Sequence, residues 1–304
     1  MQSLKAYKLN KIKKIYRTLF GVISVSKIKD DVVLILPLYE NKLVKNIYEK
    51  RMYNKLEKIL YNFNIDTVVL SNELKNNGIK NELYSQNMNI LNGKTLFEIM
   101  IMETLEYISN KQNKKISDME VTILSNNISK LLIENIIIIA NNVKVVNIVT
   151  QNIDKFKKVE ERIRERFGIV IRVMNNKRKS LAQSKIIINM DFPEEIINKY
   201  NINQFAIIIN INEKIRIYSK KFSGINISDY CIKVDSKELL DLDRMLKTYE
   251  TKELYESILL KFSDLYSIRK KIEEDKAKIT ILYGNNAVIS EKEYINLKQM
   301  YWQI

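Results

Sequence analysis

Between residues 119 and 213 a short β-branched run followed by a charged amphipathic stretch recurs three times. Apolar runs at 121–124, 143–149, 169–173, 185–190 and 205–211 predict five strands, and amphipathic stretches at 128–140 and 153–167 predict helices between them. Gly168 is placed to close the second helix as a C-cap, residues 178–183 supply at most a short helical turn, and Pro193 falls early in the next helix. Strands this apolar, alternating with helices, predict a parallel sheet covered on both faces.

Flanking this region the pattern is looser. Residues 4–17 carry Lys5, Lys8, Lys11, Lys13, Lys14 and Arg17 with no acid among them, and Leu4, Tyr7, Ile12, Ile15, Tyr16 and Leu19 interleave with a helical rhythm. Strands at 21–28 and 32–38, the second ended by Pro37, a charged helix at 41–62 and a strand at 67–70 predict a small α/β unit. A single helix at 95–111 follows Gly93. After Gly224 the pattern predicts one more strand at 230–234, helices over 236–276, a short strand at 279–283 and a last helix ending near Trp302. The expected organisation is an N-terminal α/β unit with its basic segment (1–94), a connecting helix (95–118), an α/β sheet domain (119–235) and a mainly helical C-terminal segment (236–304).

Composition changes this picture by exclusion. Six glycines and two prolines leave tight turns to Asn, Asp, Ser and Lys. A single cysteine, Cys231, excludes an intrachain disulfide and a cysteine-based zinc cage, and the absence of histidine removes histidine triads and histidine-ligated metals. The formal net charge of +15 attracts polyanions, although the lysines are interleaved with Glu along solvated helix faces. The apolar run 136–140 is far too short to span a bilayer, and no apolar core of signal-peptide type follows the basic start. The expectation is a cytoplasmic protein with no membrane span.

Two segments carry a family likeness. Val146-Asn147-Ile148-Val149-Thr150 is similar to a second strand ending in a cofactor-specificity residue, and Lys185-Ile186-Ile187-Ile188-Asn189-Met190 to a fourth strand running into Asn. Over about residues 95–235 the layout resembles the NAD(P)-binding Rossmann-like superfamily, in the two-domain arrangement of shikimate and amino-acid dehydrogenases. The resemblance implies a Rossmann-like, mostly parallel sheet with helices on both faces, and a cofactor over the turn after the first strand. That turn reads Leu124-Ser125-Asn126-Asn127-Ile128-Ser129, without glycine. A dinucleotide site uses glycines for a sharp turn, close approach of backbone amides to pyrophosphate, and tight helix packing. Side chains here occupy that space, which disfavours NAD(P). The family's catalytic Lys and Asp pair has no motif-level match either: Lys94 follows Gly93, but its surroundings do not fit, so no catalytic residue carries over.

Ligands of open α/β sheets sit beyond the carboxyl ends of the strands. The candidate cofactor-binding residues there are Ser125, Asn126, Asn127, Thr150, Gln151 and Lys155. Lys177, Arg178 and Lys179 form the densest basic loop, a candidate site for a small anionic ligand such as a phosphate or carboxylate. Asp191 is expected to cap the helix at Pro193. The basic N-terminal stretch, with Tyr7 and Tyr16, is a candidate nucleic-acid contact, although no helix-turn-helix or RNA-recognition signature accompanies it. Tyr294, Tyr301 and Trp302 are a candidate oligomer or partner contact. The expected function is non-catalytic: a scaffold, a regulator or a sensor of a small anion. The alternatives are a nucleotide-dependent oxidoreductase with a Ser/Asn phosphate loop, and a nucleic-acid-associated protein.

Overall fold

The tetrapeptide Ile-Ile-Ile-Asn occurs twice, at residues 186–189 and 207–210, and the two copies lie side by side as parallel strands in matching register. The computed structural model describes residues 2–6, 23–28, 31–36, 42–75, 79–241, 249–284 and 287–301. These fall into two compact units, one drawn from 1–93 and 235–276, the other from 94–234 and 277–304.

The first unit is built on strands β1 (Gln2–Ala6), β2 (Ser24–Ile28), β3 (Asp31–Leu36), β4 (Thr67–Leu70) and β5 (Asn89–Leu91), in the order β2-β3-β1-β4-β5. Only the β2–β3 pair is antiparallel. The helical rhythm read over residues 4–17 is thus corrected at its start, because residues 2–6 form a central strand. The ladder positions beside β3 and β4 satisfy backbone groups on both sides of β1, an arrangement that periodicity in a short mixed segment does not reveal. Residues 7–17, Pro37 and Trp302 lie outside the described residues. The long helix Lys42–Asn62 buries Met52, Leu56 and Leu60 in one cluster with Val32, Leu34, Leu36, Val68 and Leu70. Helices Lys237–Asp241, Thr251–Leu259 and Leu265–Glu274 belong to the same unit.

The second unit carries strands β6 (Glu120–Leu124), β7 (Val145–Val149), β8 (Arg172–Met174), β9 (Ile186–Asn189), β10 (Ile207–Asn210) and β11 (Ile225–Ile227). Every pairing among them is parallel, in the order β11-β10-β9-β6-β7-β8. Counted from β6, this is the 3-2-1-4-5-6 order of a Rossmann-like, doubly wound sheet, in which the order of strand addition switches sides between β6 and β9 while the strands stay parallel. Its helices include Lys130–Asn142, Ile153–Phe167, Lys177–Gln183 and Glu194–Asn198. Gly168 ends the second of these in the left-handed region (φ 67°), its N–H donating to the Arg164 carbonyl, as expected of a C-cap.

Three local expectations are revised. The helix expected over 95–111 is two helices, Lys94–Ile99 and Ile101–Lys111, with Met100 between them at φ −89° and ψ 25°. The Thr104 hydroxyl donates to the Met100 carbonyl at 2.9 Å, a back-bond that bends helices. β11 has no strand signal in the sequence, since three residues carry too little pattern. Its close approach to β10 depends on Gly224, where an added Cβ would meet the Ala206 carbonyl oxygen at 2.1 Å. The strand expected at 230–234, β12 (Asp229–Lys233), joins no parallel sheet but pairs antiparallel with β13 (Lys278–Tyr283). Phe97 and Tyr230 stack there at 4.4 Å. The last element among the described residues is the helix Glu291–Tyr301.

Candidate functional site

The crevice between the carboxyl ends of β6 and β9 is where a doubly wound sheet binds its ligand. Here it is bridged from within the chain. The Asp191 carboxylate, just past β9, accepts hydrogen bonds from the backbone N–H of Asn126 (2.7 Å) and of Asn127 (2.8 Å) in the turn after β6. The Asn127 side-chain amide adds a third bond at 2.9 Å, and the Ser125 hydroxyl a longer one at 3.3 Å. Asp191 therefore does not cap the helix at Glu194–Asn198, where Pro193 occupies the N-cap position without a side-chain bond. Two convergent backbone N–H groups make a better partner for a carboxylate than a five-residue helix whose N-cap position is already filled by proline.

The buried asparagines position that carboxylate. The Asn189 side chain closes a tight turn on Phe192, accepting from its N–H and donating to its carbonyl, both at 3.0 Å. It also donates to Asn210 Oδ1 at 3.3 Å, and Asn210 donates to Asn226 Oδ1 (2.7 Å) and to the Ile227 carbonyl (2.9 Å). Asn189 and Asn210 are fully buried, so these bonds replace water that neither side chain can reach. The twin Ile-Ile-Ile-Asn segments were the available sequence signal for this ladder.

The other side of the turn is stitched to β7. The side-chain oxygen of Asn126 accepts from the Gln151 N–H (2.9 Å), its carbonyl accepts from the Asn152 side chain (2.6 Å), and the Thr150 hydroxyl accepts from the Asn152 N–H (3.0 Å). Ser129 begins the helix Lys130–Asn142 as its N-cap, accepting from the Leu132 N–H at 2.9 Å. The turn needs no left-handed backbone: the non-glycine residues with positive φ among those described are Asn64, Asn87, Asn113 and Lys276. Ser125, Asn126, Asn127, Thr150 and Gln151 are thus brought together, whereas Lys155 points into solvent on the helix Ile153–Phe167. The basic triplet is divided. Lys177 donates to the Asn175 side chain at 2.9 Å, Arg178 is exposed, and Lys179 lines a cleft on one face of the sheet.

A second ionisable group, in the first unit, escaped sequence reasoning. Lys75 lies 2.7 Å from Glu253 and 2.9 Å from Glu250, and Lys252 lies 2.9 Å from Glu250. Residues 252–259 of the helix Thr251–Leu259 are all buried, so its polar stripe faces protein. Burial pushes the Glu253 carboxyl up to about 7, against the pull of Lys75. The neighbouring Glu256 carboxylate accepts from the Gly93 N–H at 2.8 Å. Alternating charges in a sequence give no sign of whether their helix faces water or core. Among the described residues, no group of His, Cys, Asp and Glu is disposed to hold a metal ion, and no helix is long and apolar enough to cross a membrane.

No protein-family model matches the chain. Nor does any curated protein match it in sequence. Among solved structures it is similar to an L-tryptophan dehydrogenase from Nostoc punctiforme, at 11% identity and a TM-score of 0.34, over 98% of this chain and 86% of that one. It is also similar to an ornithine carbamoyltransferase from Gloeobacter violaceus (12% identity, TM-score 0.30, 73% and 77% covered). The catalytic subunit of an aspartate transcarbamoylase from M. jannaschii gives 11% identity and a TM-score of 0.28, with 69% and 72% covered. Likenesses this distant bear on neither substrate nor activity.

Proposed function

We propose that this chain is a Rossmann-like protein, derived from the NAD(P)-binding kind, that has lost dinucleotide binding. It acts without catalysis, as a scaffold, a regulator or a sensor of a small anion. The observation that carries this reading is the Asp191 carboxylate seated on the Asn126 and Asn127 amides. In a dinucleotide site, amides at this turn face the pyrophosphate. An internal carboxylate on the same donors supplies the negative charge that a cofactor would bring, and it repels a second anion at the same place. An oxidoreductase using a Ser/Asn loop would first have to move Asp191 off those donors.

The test is a fluorescence titration with NADH and NADPH on the full chain. The expected result is no saturable binding at the turn after β6, with amide exchange at Asn126 and Asn127 unchanged up to millimolar cofactor. Saturable binding in the wild type that slows amide exchange at Asn126 and Asn127 would defeat the proposal.

A further inference from the structure

The second unit has an unusually polar sheet face. Register places Thr122 of β6 beside Asn147 of β7, and Asn147 beside Arg172 of β8. A parallel sheet buried under helices presents apolar side chains, and farther along the same face Leu124 and Val149 do share a core cluster with Leu181, together with Ile187, which stands beside Thr122 in the register. The difference arises from helix length. The crossover helix Lys177–Gln183 has seven residues, which at 1.5 Å per residue is about 10 Å. It shields the carboxyl half of the face and leaves the amino half beneath a cleft of about 680 Å³. That volume lies within the range of small-molecule sites, roughly 300–1,000 Å³.

The cleft is cationic. Lys114, Lys144, Arg172, Lys179 and Lys185 line it, against the carboxylates of Asp118 and Glu120. Of those, Glu120 lies 4.0 Å from Lys144. Polar neighbours are already organised: the Thr122 and Ser184 hydroxyls share a hydrogen bond of 2.6 Å, and the Ser184 hydroxyl also donates to the Ser180 carbonyl. Burial, with Lys185 and Lys298 nearby, holds the Lys114 amine below its usual pKa, so cations are crowded at this place. Crowded cations in a concave wall raise the local concentration of anions. The planar guanidinium of Arg172 matches phosphate oxygens two at a time.

We propose that this cleft binds a phosphorylated small molecule, with Arg172 and Lys179 on the phosphate oxygens and Lys114 and Lys185 supplying the surrounding charge. The inference rests on the anion-sensing form of the function proposed above and names its site. A concave cleft of this volume suits a compact ligand, whereas a nucleic-acid backbone calls for an extended basic track.

The experiment is calorimetric titration and thermal melting of the full chain with inorganic pyrophosphate at near-physiological salt. It compares wild type with Arg172→Gln, Lys179→Gln and Lys158→Gln, the last an exposed lysine on the helix Ile153–Phe167. Saturable binding by wild type and Lys158→Gln is expected, weakened about tenfold or more in Arg172→Gln and in Lys179→Gln. Because both altered cations are exposed, melting of the unliganded variants checks their folding. Equal weakening in all three variants, or no saturable binding by wild type, overturns the proposal. A shift produced by duplex DNA and not by pyrophosphate overturns it in favour of a nucleic-acid surface. Only NADH binding that slows amide exchange at Asn126 and Asn127 reports on the turn after β6, and NADH binding that is lost in Arg172→Gln reports on the cleft, so the two proposals can fail separately.

Discussion

Asp191 and Asn127 are bound twice over: the carboxylate of one accepts both the backbone N–H and the side-chain amide of the other, at 2.8 and 2.9 Å. Sixty-four positions apart in sequence, they close the crevice between β6 and β9. Replacing Asp191 by Ala removes a charged acceptor from at least three donors. The site is half exposed, so water recovers part of the loss, and the expected destabilisation is about 1–3 kcal/mol. Urea denaturation measures it. Amide exchange at Asn126 and Asn127 should rise in the variant before global unfolding does.

The Asn189–Asn210 pair should behave as a coupled unit. Asn189→Ala leaves Asn210 with one fewer buried partner and releases the turn at Phe192, at a cost of about 2–4 kcal/mol. A double-mutant cycle with Asn210→Ala is expected to give a coupling of about 1 kcal/mol. Strict additivity would mean that the asparagines act independently.

Glu253 gives the first unit a pH dependence. Its folded pKa of about 7 stands above the ordinary 4.5, so between these values the native state holds a proton that the unfolded chain has released. The stability it contributes is complete below about pH 4.5 and is lost as pH rises through about 7. Glu253→Gln cannot ionise. Its stability relative to wild type should therefore improve between pH 4.5 and 8, by at most about 3 kcal/mol. Denaturant midpoints across that range test the sign. Glu98, also pushed up to about 7 by burial, titrates in the same window, and comparison at fixed pH removes its contribution.

Two glycines should differ in cost for different physical reasons. At Gly168 an added Cβ meets no atom within 4 Å, so Gly168→Ala carries only the left-handed backbone penalty of about 1 kcal/mol. At Gly224 the Cβ would overlap the Ala206 carbonyl oxygen, forcing β11 away from β10. Gly224→Ala should cost more than twice as much, roughly 2–4 kcal/mol. Thermal melts of the two variants side by side decide it.

The alternation of β-branched runs with amphipathic stretches was enough to predict a parallel sheet covered on both faces, because both periodicities come from local geometry that each segment carries by itself. The helix Ile153–Phe167 and its Gly168 cap were legible to the residue for that reason. The missing glycines after β6 were equally plain. Pairing across distance was not legible. That residues 2–6 form a central strand, that Asp191 caps a turn 64 residues away, and that the helix Thr251–Leu259 is buried on every side depend on which elements meet. Those meetings are settled by long-range backbone ladders and by the low dielectric of the core. There a carboxylate must find donors, or a proton, which no stretch of sequence specifies alone.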